Sequence, residues 1–143
     1  MMGILASVLL LLVAGPSPHF DLDASFVAAP KAGANGQVAV TFTARDPDVH
    51  INEEPGPRLR LEPGQRVLVD RQAAAPARSG SFDPDNAQYL NLAKPVLFPV
   101  GFAPGAPKGA QTVKASVVFF YCSKREGWCR RGQSEIEIPV TVP

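Results

Sequence analysis

From Gln37 to Ala44 the apolar side chains fall on every second position, with Val38, Val40 and Phe42 set against polar or small neighbours. That period of two belongs to a strand with one buried face. A turn signal, Arg45-Asp46-Pro47-Asp48, follows at once. Leu59 and Leu61 alternate with Arg58, Arg60 and Glu62, and Val67 to Val69 is a short apolar run after the Pro63-Gly64 turn. Val96 to Phe102 resumes strand character, and Pro99 within it predicts an edge strand or a bulge. The two clearest strands run from Thr112 to Tyr121 and from Ser134 to Val142, the second pointing Ile136, Ile138, Val140 and Val142 to one side. No helical period competes with these. The pattern predicts an all-β chain of about seven or eight short antiparallel strands, arranged as an immunoglobulin-like β-sandwich. Arg71 to Gln88 has no hydrophobic period and is long for a connection inside one domain, so it reads as a functional or moving loop.

Composition narrows the class without naming an activity. A chain of 143 residues is one domain's worth, and 15 prolines with 12 glycines fit short elements joined by turns. The formal charge of +1 gives the molecule as a whole no electrostatic case for nucleic acid or an anionic membrane. Met1 to Gly15 holds an apolar run from Ile4 to Val13, too short to span a bilayer and the right length for the core of a signal peptide. Residues 1–15 are therefore expected to be a signal peptide, 16–36 a leader and linker, and 37–143 the domain. The chain is expected to be exported, periplasmic or secreted, and anchored if the leader is retained. Such compartments permit disulfides.

The chain's two cysteines, Cys122 and Cys129, lie in the segment FFYCSKREGWCRRGQ between the two clearest strands. Two strands joined by a polar segment with a glycine predict a hairpin, with Cys122 leaving one strand and Cys129 in the connection. Three uses of the pair are open. As a structural clip it would close a short loop and contribute about 2.5 kcal/mol, against about 4.7 for a 100-residue loop. A zinc site needs three or four ligands, and two cysteines with His50 leave it short, so no metal or cofactor is expected. As a redox couple the pair sits in a basic setting, since Lys124, Arg125, Arg130 and Arg131 flank it against Glu126 alone, and nearby cations favour a thiolate. Trp128 adds an apolar surface beside Cys129. No Ser-His-Asp or paired-carboxylate set points to a hydrolase.

DPDVHINEEP (Asp46 to Pro55), then SFDPDNAQYLNLAKPVLFPVGF (Ser81 to Phe102), then a strand running into FFYCSKREGWC, resembles in pattern and order the N-terminal domain family of the bacterial thiol:disulfide interchange protein DsbD. The likeness spans roughly Val38 to Val142. It implies a sandwich whose Cys122 and Cys129 cycle between dithiol and disulfide, with thiol:disulfide interchange as the activity. It also implies a cap loop, here Ser79 to Gln88, carrying an aromatic over the pair: Phe82 first, Tyr89 second. Implied partners are thioredoxin-fold proteins and a separate membrane thiol transporter as electron source. The residues themselves, not the resemblance, give the remaining expectations: Lys124, Arg125, Trp128 and Arg130 would tune the thiolate, and Cys129, beside Trp128 and two arginines, would form the mixed disulfide, with Cys122 at the strand end more buried. His50 is assigned no role. Where that family often has an aromatic and prolines after the second cysteine, this chain has Arg130-Arg131-Gly132. The alternative is a non-catalytic secreted binding module with a structural hairpin disulfide.

Overall fold

The computed structural model describes residues 19–31, 34–72, 78–79, 82–83 and 86–143; the expected signal peptide lies outside them. Eleven strands occur among these residues: β1 (Phe20–Lys31), β2 (Ala34–Ala44), β3 (Val49–Ile51), β4 (Arg58–Leu61), β5 (Leu68–Asp70), β6 (Arg78–Ser79), β7 (Phe82–Asp83), β8 (Asn86–Leu90), β9 (Val96–Phe102), β10 (Gly109–Ser123) and β11 (Trp128–Val142). All pairings are antiparallel, as the period of two predicts.

One sheet runs β1-β2-β9-β5, with β6 also on β9. The other is built on β10, which carries β11 along one edge and β3 and β4, end to end, along the opposite edge. β1 packs against β11 and β4 against β5, so the two sheets face each other as a sandwich. Alternation along each strand turns one row of side chains into the space between them. Val38, Val40, Phe98 and Val100 from the first sheet meet Val113, Val117, Phe119 and Ile138 from the second, all essentially removed from water. The expected all-β, immunoglobulin-like sandwich, with its cysteines on a C-terminal hairpin, is the architecture observed.

Three expectations change in detail. Residues 16–36 are more than leader and linker, because β1 begins at Phe20 and pairs with β2 from Phe20↔Ala44 to Lys31↔Ala34. Its inward row of Phe20, Leu22, Ala24 and Phe26 has period two, yet the small Ala24 and the Pro-rich approach mask it. Phe20 itself is a core residue, 1% exposed. Pro99 lies in a central strand rather than at an edge or bulge. It pairs with Gln37 of β2, and on the other side β6 ends at Leu97 while β5 begins at Val100. The missing N–H faces the gap between two short strands, and only the Pro99 carbonyl is used there, accepting from the Arg71 N–H at 3.1 Å. Arg71 to Gln88, finally, contains β6, β7 and most of β8 alongside residues outside the described set.

Candidate thiol–disulfide site

β10 and β11 are each 15 residues long and pair without a register shift from Gly109↔Val142 to Ser123↔Trp128. The connection is only the four residues Lys124 to Gly127, so Cys129 belongs to β11 and not to the loop. Gly127 makes this turn, with φ 71° and its N–H donating to the Ser123 carbonyl at 2.9 Å. The basic, polar run that hid the strand ends is therefore strand on both sides of a tight turn.

Cys122 and Cys129 are direct cross-strand partners, joined by a disulfide, with Cα atoms 4.0 Å apart. Phe119 and Tyr121 point into the core, and alternation sends Cys122 to the outer face of the sheet. The disulfide thus lies outside the sandwich core, on the back of one sheet. Its two ends differ: Cys122, between β3 and β11, is 6% exposed, whereas Cys129, on the sheet edge, is open to solvent.

Three residues of the β2–β3 region hold this end together. Asp48 accepts hydrogen bonds from the Ser123 hydroxyl and from the Arg125 N–H, 3.0 Å away, and its carboxylate lies 3.9 Å from the Arg125 guanidinium. Acceptance from the Ser123 hydroxyl is the main reason its carboxyl is held below the ordinary value, with the Arg125 N–H and charge adding to it and desolvation opposing. His50 faces Cys122 across the ladder and stacks on Tyr89, ring centroids 4.9 Å apart. Asn52 bridges to Tyr89 through the backbone and brings its Oδ1 to 3.3 Å from the Cys122 sulfur.

Of the residues expected to cap the pair, Tyr89 belongs to this cluster, buried at 6% and with the Lys124 ammonium 5.4 Å from its ring centroid. Phe82 is in β7, paired with β8, and its side chain lies outside the described residues. Among the expected modulators, Lys124 and Arg125 occupy the turn. Trp128 and Arg130 alternate to the face of β11 opposite Cys129, where the Arg130 guanidinium sits 4.0 Å from the Trp128 ring centroid. Trp128 also donates to Glu126 and packs edge-on against Tyr121, which with Phe20, Phe42 and Phe119 forms an aromatic wedge under the hairpin. Arg131 shares the outer face with Cys129. The sequence gives Asp48, His50 and Asn52 no visible link to the thiols, because seventy or more residues separate each of the contacts at Asp48 and Asn52 from the hairpin.

Among the described residues no group of three or more His, Cys, Asp or Glu side chains could hold a metal ion, and no helix is long and apolar enough to cross a membrane. A groove of about 650 Å³ lies further along the same sheet, lined by Arg60, Glu62, Lys114, Glu135 and Glu137 of mixed charge. Fold and site together define an all-β antiparallel sandwich with a solvent-edged disulfide on its C-terminal hairpin. No protein-family model, curated protein or solved structure matches the chain.

Proposed function

We propose that this is an exported thiol–disulfide exchange domain of the DsbD N-terminal kind, passing electrons between thioredoxin-fold partners and a separate membrane thiol transporter. The observation that carries the reading is the position of the disulfide: outside the core, with Cys129 exposed and Cys122 shielded. A partner can reach the Cys129 end, and the bond joins side chains on the outer face of the sheet rather than within the core. A partner thiolate attacks Cys129, the sulfur–sulfur bond breaks, and Cys122 leaves with the electron pair and takes up a proton. The partner's second thiolate then displaces Cys129 from the mixed disulfide, leaving the domain as a dithiol and the partner oxidised.

The deciding measurement is the equilibrium potential of the domain, read by Trp128 fluorescence or thiol alkylation in defined ratios of oxidised and reduced dithiothreitol. A potential well above about −300 mV, with the fold intact in both states, is the expected result. A lower potential, or unfolding on reduction, makes the pair a clip and the chain a secreted binding module.

A further inference from the structure

The Asn52 side chain approaches the shielded sulfur, and its approaching atom is an acceptor, Oδ1, at 3.3 Å from Cys122 Sγ. In the disulfide this sulfur has no proton to give. After reduction it has one, and a carbonyl-type oxygen in this position accepts from the neutral S–H and repels the thiolate. We propose that Asn52 is a positioning residue that holds the reduced Cys122 as a protonated thiol, leaving Cys129 as the thiolate nucleophile of the pair. The inference rests on the exchange reading above, and it assigns that reading's asymmetry to a particular group.

The surroundings agree with this division of labour. Cys122 is 6% exposed, and burial in itself disfavours a thiolate. The charged or titratable groups near it are His50, its partner on β3, then Tyr89 and Lys124 beyond His50, Cys129 on β11, and the Asp48 carboxylate tied to Ser123 and Arg125 at the turn. None of these is the acceptor at the sulfur. Asn52 is also fixed from behind, because its own N–H donates to the Phe120 carbonyl at 2.8 Å and its backbone bridges Tyr89. Each turnover is balanced: when Cys122 leaves the disulfide it gains the electron pair and then one proton, which stays on the sulfur and is donated as a hydrogen bond to Asn52 Oδ1. In the reverse direction Cys129 attacks a partner disulfide, and Cys122 loses the proton as it displaces the partner.

The test is the pH dependence of iodoacetamide alkylation of the fully reduced chain, resolved for each cysteine by mass spectrometry, in wild type, Asn52→Ala and Asn52→Asp. In wild type Cys129 ionises at lower pH than Cys122. Asn52→Ala raises the ionisation constant of Cys122 by about twofold to tenfold, the worth of one ordinary hydrogen bond, and leaves that of Cys129 in place. Asn52→Asp, of nearly the same shape, moves Cys122 the opposite way by adding a negative charge. A loss of packing alone would change the plateau rate at high pH and not the midpoint. An unchanged Cys122 midpoint in a folded reduced chain, or a shift confined to Cys129, overturns the role of Asn52 and leaves the exchange reading standing. A reduced chain that loses its near-UV circular dichroism and shows two equal midpoints overturns both.

Discussion

Cys122 and Cys129 face each other across one rung of the β10–β11 ladder, yet one sulfur is shielded between strands and the other stands at an open edge. Proximity is symmetric and access is not. Cys122→Ser, which leaves only the edge thiol, is therefore expected to react with a small aromatic disulfide reagent at least about tenfold faster than Cys129→Ser. Equal rates from the two single-cysteine chains would remove the basis for assigning Cys129 the attacking role.

Removing the disulfide altogether is expected to leave the sandwich folded. The bond spans a sequence separation of 7, and the strands it joins are already held by a tight turn and an unbroken ladder. Cys122→Ala with Cys129→Ala should cost no more than the about 2.5 kcal/mol that chain entropy assigns to so short a loop. Urea unfolding of the double variant measures this, and a collapse of cooperative unfolding would show that the clip is structural.

Much of this architecture is legible in the chain, and what is not legible has separate physical causes. Val38 to Phe42 and Ile136 to Val142 announce themselves because their outward neighbours are small or polar: Ala39 and Thr41 in the first, and Glu137, Pro139 and Thr141, which meet water, in the second. At the cysteine end the rule lapses: Val118, Phe120 and Cys122 form an apolar outward row on β10, flanked by β3 and β4 or β11. With both faces apolar, Val118 to Tyr121 reads as strand from its apolar run and not from a period, while the start of β11, Trp128 to Gln133, is masked by the polar run Arg130-Arg131-Gly132. β1 is masked by a small Ala24 in its inward row, and the Asp48, His50 and Asn52 contacts depend on pairing between strands far apart in sequence.

The hairpin turn should loosen in acid. Asp48 has its carboxyl held below the ordinary value in the folded chain, so its contribution is complete at neutral pH and is lost as pH falls through that depressed value. The Arg125 amide, which donates to this carboxylate at 3.0 Å, reports the change directly. Its NMR shift should titrate below the usual carboxylate range in wild type and lose that step in Asp48→Asn.

Gly132 marks a place where the core rings need an absent side chain. A Cβ there would come within 2.8 Å of the Phe119 ring and 3.0 Å of the Tyr121 ring, both fixed in the aromatic wedge beneath the hairpin. Gly132→Ala should destabilise the fold by about 1–3 kcal/mol, the cost of overpacking a closed site. A midpoint in urea equal to that of wild type would mean the wedge can shift, and with it the anchoring of the disulfide from below.

Gln72 joins the two sheets along the edge of β4 that faces away from its partner β10. Its side chain is 5% exposed, its amide donates to the Leu59 carbonyl at 2.9 Å and to Asp70 at 2.8 Å, and its Oε1 accepts from the Leu59 N–H at 3.2 Å. One side-chain amide thus takes the place of a backbone pair, as a neighbouring strand would. Gln72→Leu keeps the volume and strands two buried backbone groups of Leu59, so a loss of about 1–3 kcal/mol for each group left without a partner is expected in urea unfolding. Gln72→Glu keeps an acceptor for the Leu59 N–H, and in its protonated form offers one O–H donor where the amide has two N–H bonds, so in that form it should fall between wild type and Gln72→Leu. If Gln72→Leu proves neutral, water reaches Leu59 and the two sheets are joined on this side by apolar packing alone.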